Sequence, residues 1–388
     1  MRRRRTLYYQ TDKEFDVDSL DVFIELLEAI PDMRVERSKR HRLIDILFIA
    51  LCTILSGGEG FQDMVDFGAS REEWLKKYVE LPCGIPSYAT FRRVFLVLEP
   101  NALKECLISW AEGLREMTGG QVIALDGKTL RHSFDRWSGQ KSLHLVNAWV
   151  SDLGISLGCE RVDAKSNEIP SALDFLEKLK IKGCTVTLDA LGCQREIASK
   201  IIEKGGDYLL CAKGNQPGLH KDLEGFFKDC GDFEGIEHDY FESLEKGHGR
   251  IEERKCWAVA GEAGWLGIDK AWKNVRTMVM LKRKRTVNGK SSEETSYYIT
   301  SLAGDAEKIA TVARLHWKIE NSLHWVLDVT MNEDMNRIRK DYAPENLAVL
   351  RRIAVSMVNR VKGKRSVRGS LKLAGWDTSF LERLLAGS

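Results

Sequence analysis

The sequence predicts an α/β protein: an all-helical N-terminal region, then a mixed core of alternating strands and helices with a mainly β insertion. Three observations predict this. Apolar residues recur at helical spacing as far as about residue 119. At Gln121 the pattern becomes extended, and strands and helices then follow in the order β-β-β-α-β-α-β. Finally, 388 residues are too many for one ordinary compact domain. The expected divisions are a helical domain over 1–119, an α/β domain over 120–362 with its insertion at about 229–300, and a basic C-terminal tail over 363–388.

The helical region rests on Leu20, Phe23, Leu26 and Leu27, and again on Leu43, Ile46, Ile49 and Ala50. After Pro86 and Ser87, a further helix places Phe91, Val94, Phe95 and Leu98 on one face, and Pro100 ends it. Gln121–Asp126 is the first strand, running into Asp126-Gly127. Leu143–Val150 and Ile155–Val162 follow as a hairpin across Ser151-Asp152-Leu153-Gly154. Pro170 opens a helix through Leu173, Leu176 and Leu179, at a first-turn position where its missing N–H costs nothing, and Gly183 closes it. Thr185–Asp189, Glu196–Lys204 and Asp207–Ala212 are the next strand, helix and strand. A three-strand meander followed by alternating helix and strand is the ribonuclease-H-like topology. In it a right-handed crossover lays the fourth strand parallel to the first. Asp126 and Asp189 then end neighbouring strands at one edge. Beyond them, Arg250–Ala260, Thr277–Lys284 and Ser296–Leu302 read as strands of the insertion. A helix starting at Ala306 runs through Glu320 into His324, and a last one spans Leu347–Val361.

The net charge of +2 hides an asymmetry. Between Arg337 and Lys372 stand eleven Lys/Arg against Asp341 and Glu345, so this segment carries +9 and the remainder about −7. Smaller basic clusters occupy Arg2 to Arg5 and Lys282 to Arg285. Each could be plain solvated surface; near a cluster of acids they read as phosphate contacts. The longest apolar run, Ile44 to Leu55, is interrupted by Asp45 and falls short of the ~20 residues of a membrane span. Polar residues after Arg5 leave no apolar export segment. Nine scattered cysteines with no C-x-x-C pair predict reduced thiols in the cytoplasm and argue against a zinc ribbon.

Three acids carry the candidate chemistry. Breaking or transferring a phosphodiester requires neutralising charge on the attacking and leaving oxygens, which two divalent ions ~3.5–4 Å apart achieve. Such ions need several carboxylates converging from separate elements, and magnesium favours oxygen ligands. Asp126 and Asp189 end strands that look buried, where an unpaired acid is costly unless it binds something. Turn capping is the alternative for either taken singly. On a helix, His316, Glu320, His324 and Asp328 form one polar stripe flanked by Trp317 and Trp325. A hydrogen-bonded structural ladder or a zinc site on the two histidines are the competing readings, the latter without an H-E-x-x-H motif or a cysteine ligand.

The run His316–Val329 resembles the glutamate segment of the H-repeat-associated transposases of bacterial insertion sequences. So do Ile123-Ala124-Leu125-Asp126-Gly127-Lys128, Lys165-Ser166-Asn167-Glu168-Ile169-Pro170, Thr187-Leu188-Asp189-Ala190 with Gln194, and Lys213-Gly214-Asn215-Gln216. Lys39-Arg40-His41 to Glu59-Gly60, with Glu72-Glu73-Trp74, resembles the helical domain associated with that family. The resemblance implies a DDE transposase with Asp126, Asp189 and Glu320 as catalytic and metal-binding acids. It further implies two Mg2+ (or Mn2+) ions, the element's terminal repeats and target DNA as partners, and a homodimer in a synaptic complex. The broader group carries a Tyr, Arg, Glu, Lys signature; Ala313, His316 and Leu327 stand at its Tyr, Arg and Lys positions, so His316, His324 and Arg314 are the candidate substitutes. Lys128, Lys165, Lys213, Asn215, Gln216 and Asn321 complete the expected DNA contacts. Trp257, Trp265 and Trp272 are candidates for stacking on a flipped base, with core packing as the alternative. A nuclease or resolvase on the same fold, or a DNA-binding protein without turnover, are the other functions this pattern allows.

Overall fold

The apolar run too short to span a membrane is the central helix of the N-terminal region. In this computed structural model, which describes residues 20–115, 120–134, 139, 141–162, 168–231, 233–247, 249–264 and 266–387, that region holds six helices. They are α1 (Leu20–Glu28), α2 (Leu43–Leu55), α3 (Phe61–Ser70), α4 (Glu72–Leu75), α5 (Tyr88–Val97) and α6 (Pro100–Arg115). Every residue of α2 is buried, because neighbouring helices cover it all round. Ser87 caps α5 by accepting from the Thr90 N–H. Among the described residues no helix is long and apolar enough to cross a membrane.

The core begins with strands β1 (Val122–Thr129), β2 (His144–Val150) and β3 (Ile155–Val162), an antiparallel meander. Helix α7 (Glu168–Lys178) crosses to β4 (Thr185–Leu188), which pairs parallel with β1; α8 (Arg195–Glu203) then leads to β5 (Asp207–Ala212). The order β3-β2-β1-β4-β5 is the ribonuclease-H-like arrangement. Leu125 stands opposite Leu188, so Asp126 and Asp189 are the next residues on adjacent strands.

After α9 (Pro217–Asp229), which the sequence reading left unassigned, come β6 (Asp239–Gly247), β7 (Arg250–Ala260), a short α10 (Ile268–Ala271), β8 (Thr277–Val287) and β9 (Lys290–Thr300). The insertion is not a separate sheet. Strand β9 pairs antiparallel with the edge of β5, giving one nine-stranded sheet in the order β3-β2-β1-β4-β5-β9-β8-β7-β6. That pairing satisfies an edge that would otherwise expose its backbone groups.

Helix α11 (Ala306–His316) is capped by Asp305 and ends sooner than the sequence pattern predicts. Beyond Trp317 the chain forms two π-helical turns, Glu320–His324 and Val326–Thr330, a geometry frequent at functional sites. The long α12 (Ala343–Val361) packs on β3 and on α2, α5 and α6, joining the N-terminal region to the core.

Residues 363–387 are folded, where the sequence suggests a basic tail. They contain α13 (Val367–Trp376) and α14 (Thr378–Ala386), capped by Ser366 and Asp377. Leu371, Phe380, Leu381, Leu384 and Leu385 are buried, while the Lys and Arg of the segment lie around them. The basic composition hid an amphipathic pair of helices.

Candidate active site

Asp126 leaves the middle of the sheet through β1, with its carboxylate 12% exposed and accepting from the Gly127 N–H at 2.9 Å. A side chain at Gly127 would meet Glu168 Oε1 and His144 Nε2 at 2.8 Å, so a larger residue beside this acid would push those side chains aside. Asp189 follows β4 and caps a short 3-10 turn through Gly192, which makes it both a turn cap and a member of the acid edge. Glu320 opens the first π turn, half exposed above the same edge. Asp126, Asp189 and Glu320 line one open cleft of about 770 Å3, together with Thr187, Lys213, His316 and Trp317.

Oxygen and nitrogen atoms of Asp126, Glu320 and His324 lie within 4.8 Å of one another, a grouping that could hold a metal ion; Asp189 is outside this tightest set. Burial, then the negative charge of Glu320 and Asp189, pushes the Asp126 carboxyl up to about 8. Glu320 moves the opposite way: the hydrogen bond from His324 holds it below its ordinary value. The two carboxyls titrate as a pair, with burial favouring the neutral form of Asp126 and the His324 contact favouring the ionised form of Glu320.

His324 is buried, its Nδ1 3.4 Å from Asp126 Oδ2 and 3.6 Å from Glu320 Oε2. Its Nε2 stands 3.4 Å from Asn147 Nδ2. Asn147 pairs with Asp126 across β1 and β2, and its Oδ1 accepts from Arg352 Nε at 2.6 Å. The amide therefore turns its NH2 toward the Leu145 and Asp126 carbonyls, at 3.2 and 3.3 Å, and toward His324, an arrangement that suits Nε2 as acceptor and Nδ1 as the protonated nitrogen facing the acids.

The polar stripe on the glutamate segment does face the sheet, but each member has its own partner. Partly buried His316 bonds Thr187 Oγ1 at 3.0 Å, and desolvation lowers it to about 4, so it is neutral near pH 7. Asp328 receives Lys128 Nζ at 2.5 Å.

Several expected DNA contacts have other duties. Lys128 is 5% exposed and faces Asp328, Glu333 and Asp334, so the phosphate contact expected of it is corrected to an ion cluster inside the protein. Arg351 and Arg352, counted in the basic segment, are buried against Glu333. Gln216 Nε2 donates to the Cys193 carbonyl at 3.0 Å, and Asn215 approaches the same carbonyl at 3.5 Å, fastening two loops together. Arg314 pairs with Glu245. Asn321 is exposed and donates to the Trp317 carbonyl. Lys213 remains 45% exposed on the cleft wall, with Glu294 3.9 Å away. Lys165 lies outside the described residues, as does Trp265. Trp272 is buried, so the stacking role expected of it is corrected to core packing, whereas Trp257 is partly buried, packed against Phe233 and Tyr240 with Lys282 Nζ 5.4 Å from its ring. The exposed indole beside the acids is Trp317, three residues before Glu320, with the Arg283 guanidinium 5.7 Å from its ring. Sequence reading treated it only as a flank. It passed over Asn147 and Glu168 too; Glu168 lines the back of the site with Asp126 and Asp189.

A fold of this topology carrying three acids at one strand edge defines a DDE-type enzyme class, and comparison with known proteins agrees. The family described as "Transposase DDE domain" matches residues 117–357, and the one described as "DDE_Tnp_1-associated" matches residues 24–111. The chain belongs to the DDE transposase family. It is 38% identical over 372 residues to the transposase candidate YncI of Escherichia coli O157:H7, covering 95% of each chain. It is also 37% identical over 374 residues to the H repeat-associated transposase candidate YhhI of Escherichia coli strain K12, covering 95% of this chain and 99% of the relative. Among solved structures it overlays on a piggyBac transposase synaptic complex with hairpin DNA at a TM-score of 0.44 and 10% identity, over 95% of this chain and 80% of that one.

Proposed function

We propose that this protein cleaves DNA at the ends of its own insertion sequence and joins the released 3′-hydroxyl to target DNA, with Asp126, Asp189 and Glu320 as the catalytic acids. The observation that carries this reading is their convergence on one cleft from three elements far apart in sequence. The donor set fits divalent cations such as Mg2+ or Mn2+. The three acids offer only oxygen, His324 adds a nitrogen beside Asp126 and Glu320, and the burial and repulsion that raise Asp126 are what a bound cation would relieve. When bound, two such ions neutralise charge on the attacking and leaving oxygens. Asp126, Asp189 and Glu320 would hold them, with Asp126 feeling the charge of both other acids. His324, its Nδ1 3.4 Å from Asp126 and 3.6 Å from Glu320, lies against both carboxylates, and Lys213 supplies a cation on the cleft wall for a DNA phosphate. No protein nucleophile is required. Two copies would synapse the two element ends.

The test uses purified full-length protein, pre-nicked element ends and a plasmid target with Mg2+. Strand joining is expected for the wild type. Glu320→Gln should lower it by on the order of 10^3-fold or more, about 4 kcal/mol of barrier. Cleavage without joining would identify a nuclease on this fold instead. Unchanged joining by Glu320→Gln would remove the glutamate from the mechanism.

A further inference from the structure

Positive charge is displayed around two clefts, and they differ in how many carboxylates stand among the cations. The larger cleft lies between the β6–β9 extension and α11, beside Glu320. Most of its cations are already matched: Arg250 with Glu252 at 3.2 Å, Arg254 with Glu245 at 3.4 Å, Arg283 with Glu294 at 2.6 Å, and Arg314 with Glu245, which leaves Arg285 and Lys318. Phosphates entering there would have to displace carboxylates.

The second cleft lies where the N-terminal helices meet the segment just before α12. Phe61, Leu96 and Ile338 form its floor, with Tyr88 at the rim, and Arg92, Arg337, Arg339 and Lys340 supply its charge. No acid lines it. Arg92, Arg337 and Lys340 have no carboxylate partner among the described residues. Arg337 and Lys340 are exposed, and Arg92 is half-buried. Cations over an apolar floor are less screened than cations in open water, so their pull on an anion is stronger. Arg339 is different: its Nε donates to the His132 carbonyl at 2.9 Å, and its guanidinium sits 4.9 Å from the Phe134 ring, so it braces the wall.

That wall is joined to the acid site. Asp334 accepts from the Arg131 N–H at 3.2 Å and from Lys128 Nζ at 3.3 Å, and Lys128 is two residues beyond Asp126. A polyanion held in the cleft is therefore held against the loop that leaves the catalytic strand.

We infer that this cleft binds the phosphodiester backbone of duplex DNA through Arg92, Arg337 and Lys340, which makes the helical N-terminal region half of a DNA-binding site rather than a passive cover. The inference rests on the transposase reading. Backbone contacts position DNA without reading its sequence, so the contribution is the same for any duplex. Tyr88, 48% exposed, offers a hydroxyl donor on the same rim.

The experiment is a salt titration of fluorescein-labelled duplex DNA binding to the full-length protein, followed by anisotropy. It compares the wild type with Arg92→Ala/Arg337→Ala/Lys340→Ala, the surface pair Arg337→Ala/Lys340→Ala, and the control pair Arg283→Ala/Arg314→Ala. Each lost phosphate contact flattens the plot of log affinity against log salt by about 0.9, so the triple variant should lose about 2.7 and the surface pair about 1.8. The control pair should keep the wild-type slope. The surface pair replaces only exposed side chains, so it reads out even if the triple variant folds poorly. Wild-type slopes in both cleft variants would overturn this site and leave the transposase reading standing. No DNA binding by the wild-type protein would overturn both.

Discussion

Arg352 Nε lies 2.6 Å from Asn147 Oδ1, and with the Leu145 and Asp126 carbonyls on Nδ2 this bond sets which end of the amide faces His324. Arg352 is wholly buried and pinned by Glu333 at 2.9 Å and by the Ala348 carbonyl at 2.8 Å. A fixed cation thus orders an amide, the amide orders an imidazole, and the imidazole presents its proton to Asp126 and Glu320.

Asn147→Leu should therefore lower DNA cleavage roughly ten- to a hundredfold, the usual effect of removing a group that orients a metal site's own side chains. It should also cost about 1–3 kcal/mol of stability, since the Arg352 N–H loses its acceptor. DNA affinity should not change. Single-turnover cleavage rates and binding isotherms on the same preparation check this; lost affinity with normal cleavage would place Asn147 on the DNA instead.

Lys128→Ala separates an internal cation from a phosphate contact. Three carboxylates lean on Lys128 Nζ, and one of them, Glu333, is wholly enclosed. Burial alone would raise Glu333, but Arg352, Lys128 and Arg351 outweigh it and hold it below its ordinary value. Breaking such a buried network costs about 3–5 kcal/mol. Thermal unfolding should show that loss, while the salt slope of DNA binding stays at the wild-type value. A slope flatter by about 0.9 with unchanged stability would restore Lys128 as a phosphate contact.

The contrast between Asp126 and Lys128 shows what could be read from the sequence. Asp126 and Asp189 were legible because strand order alone places their strands side by side, and order is written in apolar periodicity and turn residues. Glu320 needed the motif around it as well, for the π turns have no sequence signature and the helix reading ran straight through them. Lys128 was misread because its partners lie some 200 residues on, and no local pattern announces an ion pair between β1 and the segment after the glutamate. Trp272 was offered as a stacking residue when only tertiary packing decides whether an indole in a β-rich stretch is covered. The strands of the insertion were largely found, but their hydrogen bonding onto β5 is a long-range event. In α13 and α14, high Lys/Arg content outweighed a helical stripe that was present all along.

Those two helices yield a prediction of their own. Trp74 Nε1 and the Tyr78 hydroxyl donate to Glu382 at 2.8 and 2.9 Å, and α14 packs on α2 and α12. Ending the chain at Lys362 uncovers Leu371, Phe380, Leu381, Leu384 and Leu385's partners at about 1.5–3 kcal/mol per large side chain. The sum is comparable with the whole stability of a typical domain. The truncated protein should be insoluble or unfolded by circular dichroism. A soluble, cooperatively melting product that binds DNA less tightly would return the segment to the status of a tail.

Asp126 gives the sharpest test of the acid site, because its catalytic and structural demands oppose each other. In the metal-free chain its folded-state value, about 8, stands above the ordinary 3.8 of an unfolded aspartate. A raised value means the folded state binds the proton more tightly. The stability from this group is present below pH 3.8 and is lost as pH rises toward about 8. Asp126→Asn removes that loss. At pH 8 without metal, the variant should melt above the wild type by on the order of 1–2 kcal/mol, roughly 1–3 °C for a chain of this length. Near pH 4 the two should converge. Adding Mg2+ should raise the wild-type melting temperature and leave the variant's almost unmoved, because the cation binds the ionised carboxylate and not the amide. DNA cleavage by the variant should be abolished throughout. Equal melting at every pH, with an equal response to Mg2+, would mean that Asp126 is neither strained by its neighbours nor the ligand that divalent ions seek.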